Sequence, residues 1–321
     1  MAHEIEMVNG VAQMAYAGEL PWHGLGSQVS DDISTDGMME AAGLDWSVTK
    51  QPMYYMDDLG EMGEVPGKSA LVRSSDNKVM DIVGSDWNPV QNAEAFDFFN
   101  EFVMNGDMNM HTAGSLQDGK LTWALAKVNE EFELFGGDQV ESYLMFSNPH
   151  KFGSSITVSF TPIRVVCNNT LNMALQGANG KGVRVSHRTS FDADAVKQLL
   201  GVATEQLNTY KEAAEFLGSK RFTDESLKNY IMEVFPNTNT KAKDPNAISR
   251  TAKTVLELVE TQPGAEYAEG SFWQAFNAVT FATDHVVGRE ADSRLASAWF
   301  GANQTKKLKA LDKAIEYAEA A

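Results

Sequence analysis

VKQLLGVATEQLNTYKEAAEFL, Val196–Leu217, is where the chain changes its period. Val196, Leu199, Leu200, Ala203, Leu207, Tyr210, Ala214 and Leu217 recur at steps of three and four, which places them on one helix face. Asp192 stands before the stripe as a helix cap. Further helical patterns follow at about 224–235, 246–260, 271–287, 289–301 and 305–320, separated by FPNTNTKAKDPN and TQPGAEYAEG. Upstream, the pattern is short β-like runs and turns. Trp46–Tyr55, Ser69–Arg73, Lys78–Gly84, Leu121–Val128, Tyr143–Phe146, Ser155–Phe160 and Val183–His187 read as strands. Asn92–Met104 reads as a helix, with Ala95, Phe96, Phe99, Phe102 and Val103 on its apolar side. A second helix is expected from Thr161, as cap, and Pro162, as first helical residue, to about Leu175. Strands first and helices later predict an α+β fold. A strand-rich core with few helices is expected over 1–190, and an all-helical region over 191–321.

The charge is as uneven as the period. Ser142–Phe191 contains no Asp or Glu but holds Lys151, Arg164, Lys181, Arg184 and Arg188, plus His150 and His187. The chain as a whole has 26 basic and 44 acidic residues, a net charge of −18. Such a charge argues against indiscriminate binding to DNA or acidic membranes, so any contact with a polyanion is local. Exclusion of acids from 142–191 points to a surface that meets an anion, although buried strands also lack acids. Phe152, Phe160 and Phe191 interleave with the basic groups, the combination that sequence-tolerant single-strand binding uses. No run approaches eighteen apolar residues, and MAHEIEMVNGVAQ lacks a basic start followed by an apolar stretch. One cysteine, Cys167, excludes an internal disulfide framework and fits a reducing compartment.

TPIRVVCNNTLNMAL is the densest constellation. On the expected helix, Thr161, Arg164, Asn168 and Asn172 form one polar stripe, a fork of donors suited to phosphate or a base edge. Cys167 with His150 or His187 as base is a thiol-catalysis alternative, against its reading as a small buried hydrophobe. Other motifs fail on spacing. GANGKG lacks the gap and hydroxyl of a phosphate-binding loop, and the calcium-like run from Asp32 has Gly43 where a glutamate is required. The six histidines form no close pair, so no metal is expected. Lys306, Lys307, Lys309 and Lys313 read as the solvated face of the last helix.

PWHGLG (21–26), WSVTKQPMYY (46–55), WNPVQNAEAFDFF (87–99), SNPHKFGSS (147–155), RVVCNNTL (164–171) and VRVSHRTSF (183–191) follow one another in a recognisable order. Together they resemble the phage- and plasmid-encoded family of domain of unknown function 932, over roughly residues 10–220. RVVCNNTL is the most specific piece. The resemblance implies a mobile-element protein in a bacterial cytoplasm. A strand-rich core followed by helices is in turn similar to phage single-strand annealing proteins of the Rad52 and Redβ/RecT kind. That likeness implies a ring or filament with DNA in a local basic groove. Here the groove is expected at Lys151, Phe152, Arg164, Asn168, Lys181, Arg184, His187 and Arg188. The expected function is single-strand DNA binding and annealing by a non-enzymatic homo-oligomer without cofactor or membrane attachment. Single-stranded DNA, further copies of the chain and a phage exonuclease are the expected partners. Two readings stand beside it: a small anionic ligand such as a nucleotide held by Arg164, Asn168 and His187, and a cysteine-dependent enzyme.

Overall fold

The computed structural model describes residues 5–21, 24–164, 169–170, 183–200, 203–237, 247–288, 297–299 and 301–321. The chain divides into two compact units: Met1–Asn129 with Tyr143–Ser159 and Lys181–Gly201, and Glu130–Ser142 with Phe160–Gly180 and Val202–Ala321.

The first unit opens with β1 (Met7–Val8), β2 (Val11–Ala12), β3 (Met14–Ala17), β4 (Ser27–Val29) and α1 (Thr35–Ala41). It continues with β5 (Val48–Met56), β6 (Met62–Arg73), β7 (Val79–Gly84), α2 (Asn92–Met104) and β8 (Met108–Leu116). Next come β9 (Leu121–Leu134), β10 (Asp138–Pro149) and β11 (Ile156–Arg164), each of which contributes residues to both units. β12 (Asn169–Thr170) belongs to the second unit, and β13 (Val183–Val185) and α3 (Ala193–Leu200) to the first.

Strands of the first unit follow the order β4–β3–β8–β9–β10–β11, with β13 also on β11. β3 pairs parallel with β4, whereas β3/β8, β8/β9 and β11/β13 are antiparallel. Trp123, Ala124, Leu125 and Ala126 of β9 are all buried, a continuous apolar run that places both strand faces in the interior. α2 covers this sheet with Phe96, Phe98 and Phe99, and the Phe98 and Phe146 rings meet at 5.4 Å. The helix begins where Gln91 N donates to Glu94 Oε2 at 2.6 Å, half of the reciprocal cap that its sequence supplies. β5, β6 and β7 form a separate antiparallel sheet.

The second unit holds α4 (Ala203–Ser219), α5 (Asp224–Val234), α6 (Arg250–Leu258), α7 (Phe272–Phe281) and α8 (Ala302–Glu319). Thr223, Ser249 and Ser271 cap α5, α6 and α7 by accepting from backbone N–H groups of the first turn. α7 is buried along nearly its whole length. Phe272, Trp273 and Phe276 pack with Tyr230, Ile231, Val255 and Ala314. A single π turn follows at Ala282–Val286, and beside it Lys307 meets Asp284 at 2.7 Å with both side chains buried.

The α+β division expected from the sequence is present, and among the described residues no strand lies beyond residue 200. The expected helix from Thr161 to Leu175 is overturned. Thr161, Pro162, Ile163 and Arg164 lie in β11, and Arg164 pairs with Asn169 of β12. Ile156, Val158 and Ile163 suit a pleated strand better than a helix, and local spacing yields to sheet pairing. Pro162, which has no N–H to donate, falls between the described pairings of β11 with β13 and with β12.

Candidate functional site

The loop between β7 and α2 ties several segments of the first unit together. Trp87 stacks on His187, centroids 4.1 Å apart. Asn88 N donates to the His187 carbonyl at 2.6 Å, and the Asn88 carbonyl accepts from His187 Nδ1 at 3.0 Å. Asn148 Nδ2 donates to the Val90 carbonyl at 2.8 Å. The Gln91 amide takes both backbone groups of Val48, accepting at 2.9 Å and donating at 3.0 Å, as a strand partner does. Asn92 then donates from Nδ2 to the carbonyls of Leu44 at 3.0 Å and Trp46 at 3.4 Å. Its Oδ1 accepts from Thr122 Oγ1 at 3.0 Å and from His150 Nε2 at 3.1 Å.

These partners fix both histidine tautomers. Asn92 Oδ1 can only accept, so the His150 proton sits on Nε2 and Nδ1 carries a bare lone pair. The Asn88 carbonyl likewise places the His187 proton on Nδ1. Burial holds both rings neutral. It pushes His150 down to about 3, with His187 and Arg73 acting in the same direction. His187 is also lowered, chiefly by burial, against the opposing pull of the Asn88 and Pro149 carbonyls. Trp46 covers His150 edge-on at 5.1 Å, and the Arg73 guanidinium lies over the Trp46 ring, its Cζ 5.3 Å from the centroid. Arg73 bonds buried Glu6 at 2.6 Å and Asp76 at 3.0 and 2.7 Å, and its hydrogen bonds hold the Asp76 carboxyl down at about 2. The rings of the hub are thus buried, neutral and packed, and His150 Nε2 is engaged by the Asn92 amide.

Above the hub the chain turns outward. Lys120 accepts from His150 N at 2.8 Å through its carbonyl, and two residues later Phe152 is 62% exposed. The turn 150–155 leads into Ile156, which pairs antiparallel with Val185. The turn and the segment after Val185 therefore leave the sheet at the same end. Arg184 and Arg188 are exposed, and Lys151 is half-buried with Nζ donating to Gln117 Oε1 at 2.7 Å. Asp86 Oδ2 lies 3.3 Å from Arg188 Nε, and Asp81 Oδ2 accepts from Phe152 N at 2.8 Å. The stretch that lacks acids in sequence thus meets two of them in space, brought by β7 and the loop after it.

The model of the family described as domain of unknown function (DUF932) matches residues 79–299. The chain belongs to that family. No curated protein and no solved structure matches it. In this DUF932 protein the matched span includes Trp87, Asn88, Asn92, Thr122, Asn148, His150 and His187, together with Phe152, Arg184 and Arg188. Trp46, Arg73 and the β5–β6 hairpin precede it.

The structure places the expected site residues unequally. Lys151 and Phe152 lie in the turn that enters β11 and Arg188 in the segment that leaves β13 at the same sheet end, while Arg184 lies on β13 opposite Thr157. His187 is buried against Trp87 and does not face solvent. Arg164 lies in β11, on a strand and not on the expected helix stripe. Asn168, Lys181 and Cys167 lie outside the described residues. Of the three interleaved phenylalanines, Phe160 is buried and Phe191 packs with Phe98 and Phe146, leaving Phe152 as the exposed ring. Asn92, Asn148, Thr122, Trp46 and Trp87 were not foreseen, although the Asn-Pro pairs at 88–89 and 148–149 mark the two segments that meet. Among the described residues, no group of three or more His, Cys, Asp or Glu is placed to hold a metal ion, and no helix is long and apolar enough to cross a membrane.

Proposed function

We propose that this protein binds single-stranded DNA at the turn 150–155 and the outer face of β13, and promotes annealing of complementary strands without an enzymatic step. The observation that carries the reading is the exposed Phe152 in the turn that enters β11, at the sheet end where the chain leaves β13 toward exposed Arg188, with Arg184 exposed on β13 itself. An exposed aromatic offers a stacking face to any base, worth about 1–3 kcal/mol per base. The guanidinium groups offer forks to phosphate. The Arg188–Asp86 pair is solvent-exposed on both sides and so contributes about 0–1 kcal/mol, which a phosphate can displace. Few cationic groups per copy give modest affinity, so function would rest on many copies in series along one strand, as a ring or filament. A phage or plasmid recombination role in the bacterial cytoplasm, with a phage exonuclease as partner, follows as the biological setting of this reading. The test is a gel shift with single- and double-stranded oligonucleotides at two salt concentrations. Salt-sensitive binding that favours the single strand is expected; equal, salt-insensitive or absent binding would refute it.

A further inference from the structure

The β5–β6 hairpin carries a second surface of opposite character. β7 pairs with Lys68–Val72 of β6, so residues 54–64 extend beyond the three-stranded part as a two-stranded ribbon. Tyr54 pairs with Glu64, Tyr55 with Gly63 and Met56 with Met62. Tyr54, Met56, Met62 and Glu64 therefore share one face. Tyr55 lies across Gly63 on the other, where a Cβ would come within 2.6 Å of its ring. The turn is held by Asp57, whose Oδ1 accepts from Leu59 N at 2.9 Å and Glu61 N at 2.8 Å. Gly60 supplies the left-handed residue with φ 82°. Yet Tyr54, Tyr55, Met56, Leu59 and Met62 are 55–86% exposed. Tyr54, Met56 and Met62 give one face of the ribbon a patch of exposed apolar side chains, with Tyr55 on the other face and Leu59 at the turn, an exposure that a monomer rarely leaves in water. Around them stand Asp57, Asp58, Glu61 and Glu64, with no Lys or Arg between 54 and 64.

We infer that this hairpin docks onto the Phe152–Arg184–Arg188 surface of a second copy of the chain. Charge complementarity selects that occupant: the acidic ribbon with exposed tyrosines offers carboxylates to exposed Arg184 and to Arg188, whose solvent-exposed pair with Asp86 is weak enough for a ribbon carboxylate to replace, and rings to exposed Phe152. Among the described residues of one copy no ion pair or hydrogen bond joins the hairpin tip to Arg184 or Arg188, and all are exposed, so the docking is placed between copies. The hairpin resembles the proposed ligand in its chemistry, with carboxylates in place of phosphates and tyrosine rings in place of bases. It therefore competes with single-stranded DNA for the same surface. The contact is heterologous, one patch against a different patch, and so propagates from copy to copy in the absence of DNA. This inference rests on the Phe152 surface being an anion site.

The test is sedimentation of the full chain at low and high salt, without and with an oligo-dT strand. One variant removes charge, Asp58→Asn/Glu61→Gln/Glu64→Gln, leaving the Asp57 turn intact; a second removes apolar surface, Tyr54→Ser/Met56→Ser/Leu59→Ser. The parent should self-associate at low salt and disperse at high salt. Each hairpin variant and Arg184→Ala/Arg188→Ala should associate at least tenfold more weakly. Oligo-dT should dissolve the DNA-free assembly, and the charge variant should bind oligo-dT several-fold more tightly than the parent. A parent that is monomeric at low salt, or hairpin variants that associate like it, would overturn the inference. If association depends on both surfaces but no form binds oligo-dT, the docking stands and the DNA reading falls. If oligo-dT binds but the hairpin variants change nothing, the reverse holds.

Discussion

His150 and Phe152 are two residues apart and live in opposite environments. His150 is fully buried and engaged by Asn92 and Trp46, whereas Phe152 is 62% exposed. The same short segment thus supplies an anchor and a projecting ring. What differs is the company each keeps. Asn92, Thr122 and Asn148 give the His150 side a dense polar network, and such a network is costly to break because each lost partner strands another. Among the described residues nothing comparable holds the exposed Phe152 ring, so its removal should leave the fold intact. The contrast separates stability from binding and can be tested on each side.

The largest expected effect is on the anchor. Asn92→Ala removes bonds to Leu44, Trp46, Thr122 and His150 and strands the buried His150 Nε2–H, while Thr122 keeps the Asn148 carbonyl. A loss of about 3–5 kcal/mol is expected in denaturant unfolding, whereas Phe152→Ala should stay within about 0.5 kcal/mol of the parent.

Acidity should act on the anchor next. His150 has a folded pKa of about 3, below the ordinary 6.5 of the unfolded chain. The unfolded state therefore takes up the proton first as pH falls. Stability due to the neutral ring is complete above about 6.5 and declines between 6.5 and 3, at up to about 1.4 kcal/mol per pH unit, with His187 adding in the same direction. A urea midpoint that is flat from pH 7 to pH 5 would contradict this, and His150→Gln should flatten the slope if it folds.

Smaller effects belong to the surface. Arg184→Ala and Arg188→Ala should each weaken single-strand binding for every sequence alike. Each should also reduce the slope of log affinity against log salt by about 0.7, one phosphate contact on a single strand. Lys306→Ala should change binding least. That lysine lies on α8 with its Nζ 5.7 Å from the Phe235 ring, so a small stability loss is its only expected consequence.

How much of this was legible in the sequence differs from element to element. α2 was read to the residue, because Ala95, Phe96 and Phe99 repeat at helical spacing and the following Asn105 and Gly106 end the pattern. β6 was read only from Ser69, because the glycines and proline of GEMGEVPGK look like a turn; pairing with β5 extends the strand back to Met62. β11 was misread beyond Phe160, where the three- and four-residue spacing of Thr161, Arg164 and Asn168 imitates a helix, but sheet partners decide the backbone. The basic surface was visible as a run without acids. Its neutralising neighbours were not, because Asp81 and Asp86 arrive from about seventy and a hundred residues upstream. The hub was invisible for the same reason: Asn92, Thr122 and His150 are far apart in sequence and meet only through the loop after β7.

The most direct measurement of the central claim is fluorescence anisotropy of a labelled oligo-dT strand with Phe152→Ala and the parent, at two salt concentrations. Loss of one stacked base should weaken binding by about five- to a hundredfold while leaving the salt dependence unchanged, since no phosphate contact is removed. A Phe152→Ala protein that folds like the parent and binds oligo-dT with equal affinity would contradict the account.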